Sequence, residues 1–291
     1  MEEDGILASI LVPAYNEQDA IGGVLEEIQS AMGPVNMPYE VIVVDDGSTD
    51  DTRAVCEARP EVRVICHDQN RGPGAARTTG VRAARGRYVV MIDADGTYPA
   101  KVIPRMIEEL SHCDMVIGAR GAETGSLRWL RSLAKRAIKA LASYLTRTTI
   151  PDLNSGLRAM KRDLVFEFLP ILPATHSWVS TITMAFLSNG HHVRWIPIAY
   201  RRRIGDSSFH PIADTYNYLS LVVRSIMYFN PLRIFLPLSL GTLLVGAGKM
   251  IYDIFAYRFH FAPSTLMLVL TGVQLGAIGL LADLIVRRSR S

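Results

Sequence analysis

Cysteine, clustered histidine and charge are all in short supply in this sequence, and each shortage removes a class of protein. The three cysteines, Cys56, Cys66 and Cys113, are widely spaced and form no CxxC. A disulfide framework is excluded, and buried thiols in a reducing compartment fit the pattern. The seven histidines are scattered, and the one close pair, His191–His192, lacks HxxxH spacing, so no histidine zinc site is expected. Charged residues make up 20% of the chain, and 31 basic against 28 acidic residues leave a net charge of only +3. That balance argues against nucleic acid as a partner. No GxxxxGK[ST] occurs, which excludes a P-loop, and no GxGxxG follows the first β-branched run, which disfavours a dinucleotide fold. Residues Met1 to Gly5 carry no basic stretch ahead of an apolar one, so no signal peptide is expected and the N-terminal part is expected to stay in the cytoplasm.

What is present is an alternation of short apolar runs with amphipathic segments. Strands are expected at Ile10–Val12, Val41–Val44, Val62–Cys66, Tyr88–Ile92 and Met115–Gly118, with helices at Asp19–Met32, Thr49–Arg59, Gly74–Ala84 and Lys101–Leu110 between them. The runs lack polar alternation, as strands buried on both faces do, so an α/β fold with a mostly parallel sheet is expected. Ile234–Tyr257 and Phe261–Val286 are apolar stretches of 24 and 26 residues, against the ~20 that span hydrocarbon. Lys249 and Asp253 lie four residues apart and can neutralise each other, and Asp283 can reach Arg287. Glycines in both stretches suit close helix contact and permit a homo-oligomer. The basic tail Arg287-Arg288-Ser289-Arg290 places both ends of this hairpin on the cytoplasmic side. Three regions follow: a domain over 1–210, an amphipathic interfacial helix region over 211–232, and a transmembrane hairpin over 233–288.

In an open parallel sheet, ligands bind at the carboxyl ends of the strands. Polar clusters follow four consecutive strands: Pro13-Ala14-Tyr15-Asn16-Glu17, Asp45-Asp46-Gly47-Ser48, Asn70-Arg71-Gly72 running on to Ala76-Arg77, and Asp93-Ala94-Asp95. One such cluster is ordinary turn chemistry, but four point to one cleft. Asp93-Ala94-Asp95 reads either as a cap for the next helix or as hard oxygen ligands for Mg²⁺ or Mn²⁺ bound against a diphosphate.

Together these motifs resemble inverting glycosyltransferases of family 2, with the GT-A fold, over roughly the first 210 residues. Asn154-Ser155-Gly156-Leu157-Arg158-Ala159, then Arg202-Arg203-Ile204-Gly205-Asp206-Ser207, then two spans, is similar to the polyprenyl-phosphate branch, typified by dolichyl-phosphate mannose synthases and undecaprenyl-phosphate glucosyltransferases. The resemblance implies a UDP- or GDP-sugar donor. Asp46 would bind the base with Glu17 beside it, and Pro13 and Tyr15 would line that pocket. Arg77, Asp93 and Ala94 would complete the donor site, with Asp93 and Asp95 holding Mg²⁺ or Mn²⁺. Where mannose synthases can add a metal contact from a glutamine two residues past the second aspartate, this chain has Thr97. The catalytic set implied is Asp95 with Arg120, Arg131, Arg202, Arg203 and Ser207, the arginines receiving a lipid phosphate. A phosphate monoester is already a nucleophile at pH 7, so no dedicated base is needed. The alternative acceptor is a hydroxyl of a glycolipid or polysaccharide, with Asp95 or Asp152 as base. The QxxRW motif of processive synthases is absent. A non-catalytic nucleotide-sugar-binding scaffold is opposed by the intact Asp93 and Asp95.

Overall fold

The computed structural model describes residues 5–121, 143, 148–175, 177–201, 231–256 and 262–288, without the side chain of Arg287. Chain contacts divide the molecule into two compact units, residues 1–219 and 220–291. Most of the expected interfacial segment, 211–230, lies outside the described residues.

The first unit is built on a seven-stranded sheet in the order β3-β2-β1-β4-β6-β5-β7. Four parallel strands form one half: β1 (Ala8–Ala14), β2 (Tyr39–Asp45), β3 (Val62–Cys66) and β4 (Tyr88–Met91). They are the first four strands expected from the sequence. Ile10, Leu11, Val12, Ile42, Val43, Val89 and Val90 are all buried, so both faces are covered. Amphipathic α1 (Gln18–Met32) supplies one cover, turning Ile21, Val24, Leu25, Ile28 and Met32 inward at helical spacing. Short α2 (Thr52–Glu57) and α3 (Pro73–Ala83) cross between the next strands.

The other half departs from the expected pattern. β5 (Met115–Arg120) does not pair with β4, because β6 (Arg158–Lys161) inserts between them antiparallel to both. β7 (Val193–Ile198) then closes the edge parallel to β5. Neither β6 nor β7 was expected: Arg158-Ala159-Met160-Lys161 carries no β-branched residue and two charges, so it gives no strand signal. The α4 helix (Ile103–Glu109) follows a 3-10 turn at Ala100–Val102, while α5 (Arg162–Phe168) and α6 (Trp178–Ser188) flank β6 and β7 in sequence.

The second unit holds α7 (Leu232–Ala256) and α8 (Pro263–Arg288). Each contains an 18-residue stretch of mean hydropathy 1.7 and 2.0 respectively, so both are long and apolar enough to cross a membrane. Small residues let the helices approach: Gly246 meets Val269, Gly272 meets Leu243, Gly279 meets Phe235, and the Ser239 hydroxyl donates to the Gly272 carbonyl at 2.7 Å. The expected Lys249–Asp253 pair is present at 3.1 Å. Asp253 also accepts from the Ala262 amide at 3.0 Å and from the Thr265 hydroxyl, so it ties the start of α8 to the end of α7. Leu244, Phe255 and Met267 point outward and are at least two-thirds exposed, unlike the covered faces of a soluble core hairpin.

Candidate active site at the carboxyl edge of the sheet

Because β1 to β4 are parallel neighbours, the clusters after them emerge side by side. Asn16 turns the chain after β1 with φ 53°, a left-handed conformation that asparagine tolerates. Its amide donates to Ser48 at 3.0 Å and its side-chain oxygen accepts from the Thr49 amide at 2.8 Å. The Glu17 and Gln18 amides donate to Thr52 at 2.8 Å and Asp50 at 3.2 Å. The start of α1 is therefore capped by the loop after β2 and the first residue of α2. Tyr15, the first residue after β1, is 42% exposed, while Pro13 is half-buried.

Asp46 is almost wholly buried and fully engaged. Its Oδ1 meets His67 Nδ1 at 2.6 Å and the Arg71 amide at 3.0 Å, and its Oδ2 accepts from the Gly72 amide at 2.8 Å. His67 Nε2 in turn meets the Thr79 hydroxyl at 2.9 Å. One carboxylate thereby shapes the 70–72 loop and joins it to β3 and α3. The helix start that Gly72-Pro73-Gly74 opens is closed by the chain itself: the Gly74 and Ala75 amides donate to the Ala174 carbonyl at 2.8 and 3.2 Å. A Cβ on Gly74 would lie 2.2 Å from the Pro173 carbonyl oxygen, so only glycine fits this contact.

After β4, Asp93 Oδ1 accepts from Arg77 Nη2 at 2.8 Å. Arg77 is 6% exposed, and its Nε and Nη1 are buried with no hydrogen-bond partner among the described residues. A buried guanidinium with unmet donors is costly unless an oxygen-rich group meets it. Gly156 backs the same carboxylate, since a Cβ there would lie 2.0 Å from Asp93 Oδ2. Asp95 Oδ1 accepts from the Thr97 hydroxyl at 2.6 Å and the Thr97 amide at 3.1 Å. The Ala94 methyl packs into the hydrophobic core rather than the cleft. Among the described residues no three metal-ligating side chains cluster. Asp93, beside a guanidinium with unmet donors, and Asp95, two residues on in the same loop, nevertheless offer the oxygen chemistry of a hard cation that takes its remaining oxygens from water and a diphosphate.

Arg120, expected beside a lipid phosphate, meets Asp152 through Nε–Oδ2 at 2.7 Å and Nη2–Oδ1 at 3.0 Å, and lies 5.4 Å over the Tyr200 ring. Burial pushes the Asp152 carboxyl up, but the Arg120 fork and the Asn154 and Arg120 amides outweigh it and hold the group below the usual carboxylate range. A carboxylate so held is a poor general base. Arg131, Arg202, Arg203 and Ser207 lie outside the described residues.

Three contributors carried no assigned role at the sequence level. Arg158 is fully buried, donating to the Val179 carbonyl at 2.7 Å, the Thr183 hydroxyl at 3.0 Å and the Ser155 carbonyl. Burial, then the neighbouring Arg77 charge, pull its pKa down to about 10, so it stays protonated at neutral pH. Tyr98 accepts from the Gly156 amide at 2.7 Å, and its ring meets Tyr200 edge-on at 5.2 Å. His67 is the third. Arg158 sits in a motif the sequence displays, but no pattern announces that a charged residue will be interior.

The chain matches the description "Glycosyl transferase family 2" over residues 9–168 and "GtrB C-terminal hairpin" over residues 230–287. It is 27% identical over 302 residues to an undecaprenyl-phosphate 4-deoxy-4-formamido-L-arabinose transferase of Pseudomonas aeruginosa (strain LESB58), covering 95% of this chain and 84% of that protein. A Sodalis glossinidius (strain morsitans) protein of the same description is 26% identical over 294 residues, covering 96% and 88%. Glucosyl-3-phosphoglycerate synthase from Mycobacterium tuberculosis, solved with Mn²⁺, uridine diphosphate and glucosyl-3-phosphoglycerate, shares the fold with a TM-score of 0.62 at 22% identity, covering 76% of this chain and 80% of that one. The first of the matched regions takes in more than half of the sequence and every strand-end cluster that builds the cleft, from Pro13 to the turn at Gly156; by that match the chain belongs to glycosyl transferase family 2.

Proposed function

We propose that this glycosyltransferase moves a single sugar from a UDP- or GDP-sugar to a polyprenyl phosphate, with inversion at the anomeric carbon. The likeness to undecaprenyl-phosphate transferases carries the reading, because it runs through the apolar hairpin as well as the cleft and takes in 95% of the chain. A lipid acceptor gives that hairpin a purpose: it keeps the enzyme at the surface where the acceptor resides. We place the enzyme in the cell membrane with its first unit on the cytoplasmic side, as the basic tail favours.

In this reading Tyr15 and Pro13 flank the base beside Glu17, and Asp46 anchors the floor beneath it. Arg77 meets donor oxygens with its two unmet N–H groups while holding Asp93. Asp95 and Asp93 are the residues suited to Mg²⁺ or Mn²⁺, which when bound would neutralise charge on the departing diphosphate. An oxygen of the lipid phosphate attacks the anomeric carbon in line as the bond to the diphosphate breaks, and no proton must be removed first. Arg131, Arg202, Arg203 and Ser207 are assigned to the acceptor phosphate by their sequence context, with Arg120 keeping Asp152 as its counter-ion. That pairing weighs against Asp152 as the base a hydroxyl acceptor would require.

The test is transfer by the purified full-length protein in micelles, with Mg²⁺ or Mn²⁺ and a panel of labelled nucleotide sugars. Label in extractable polyprenyl phosphate is expected. Label found only in hydroxyl-bearing glycans would overturn the acceptor assignment.

A further inference from the structure

Thr97 occupies the place where relatives of the resembled branch can offer a metal-binding glutamine, and its geometry gives it a different duty. Its hydroxyl and its amide converge on a single oxygen, Oδ1 of Asp95, at 2.6 and 3.1 Å. Two donors on one oxygen fix the rotation of the carboxylate. Thr97 is itself fully buried, so its hydroxyl has no bulk water to turn to. Its carbonyl accepts from the Arg201 amide at 2.9 Å. The Arg201 guanidinium is tied to Glu27 at 2.7 and 3.0 Å. Tyr98, the next residue, is locked between Gly156 and Tyr200. The backbone from which Thr97 holds Asp95 is thus tied down at the Thr97 carbonyl and at the next residue.

We infer that Thr97 is a positioning residue for the cation site: it sets the orientation of Asp95 and is not a ligand. The inference rests on the donor reading given above, in which Asp95 faces Mg²⁺ or Mn²⁺. Its worth follows from how supporting groups act in metal sites, where loss of the partner that orients a ligand costs about 10–100-fold in metal affinity.

The experiment is Mn²⁺ binding to the full-length protein in micelles, read by the electron paramagnetic resonance of free Mn²⁺, with UDP or GDP present. Nucleotide binding without metal is measured in parallel. In Thr97→Val, which keeps the amide bond and the side-chain shape, the Mn²⁺ dissociation constant should rise about 10–100-fold. Metal-free nucleotide binding should stay unchanged, and Thr97→Ser should stay near wild type. Should Thr97→Val misfold, Thr97→Ala removes the same hydroxyl without strain. Unchanged Mn²⁺ affinity in the hydroxyl-less variant overturns the inference while leaving the donor reading intact. Thr97→Cys separates positioning from ligation: a new preference for Cd²⁺ over Mg²⁺ would make residue 97 a ligand and overturn it, and an unchanged preference supports it. If wild type itself shows no Mn²⁺-assisted binding of either nucleotide, the donor reading falls and takes this inference with it.

Discussion

A guanidinium and a carboxylate joined by two parallel hydrogen bonds and largely withdrawn from water form a unit that neither partner leaves cheaply. Arg120 and Asp152 are such a unit, with side chains 24% and 10% exposed. Asp152→Asn should cost about 3 kcal/mol of stability, the lower end for stranding one partner of a buried pair, read from denaturant midpoints in micelles. The pH sign follows from the depressed carboxyl. Its stabilisation is complete above the ordinary aspartate value of ~3.9 and is lost as pH falls through the lowered value. Wild type should therefore lose more stability than Asp152→Asn on acidification below pH ~4, and equal losses would remove Asp152 from the account. Asp95→Ala should abolish turnover with an unchanged circular dichroism spectrum; retained turnover would remove it from the cation site.

Between residue and molecule stand the elements, and there the joint of α3 with the 173–175 loop is the tightest. The Ala174 carbonyl accepts two amides from the first turn of α3, and the Trp178 indole of α6 donates to Thr78 of α3 at 3.0 Å. Through this joint α6 fixes the helix that carries Arg77. Gly74→Ala drives a methyl into the Pro173 carbonyl and should destabilise by about 1–3 kcal/mol, seen as a fall in Tm of several degrees. A full-strength Tm would mean the loop yields and the joint is loose. The same joint explains why Gly72-Pro73-Gly74 is no phosphate cradle: a carbonyl already occupies the amides that an anion would need.

At the scale of the whole molecule, an α/β catalytic unit is followed by a hairpin of two spanning-length helices. The proposed orientation, with both hairpin ends cytoplasmic, predicts that protease added to inside-out vesicles reaches the N-terminal unit and the Arg287–Arg290 tail alike, and protection of either one would refute it. Chelation with EDTA should stop transfer, and Mg²⁺ or Mn²⁺ should restore it; full activity in the chelator would remove the cation from the reaction.

The positions of the first four strands, the clusters that follow them and the two apolar helices were all legible in the sequence. Period, length and turn chemistry are local properties, and a parallel strand buried on both faces has little choice of composition. Asp93 and Asp95 could be found because the motif names them. What only the tertiary structure decided is which charges meet. Arg158 becomes interior because β6 inserts backwards between β4 and β5, and Arg120 finds Asp152 across 32 residues of chain. Thr97 turns to Asp95 inside a backbone pinned by Arg201 and Gly156. Such pairings depend on long-range packing that fixes distance and excludes water, and no residue's type or spacing encodes that on its own.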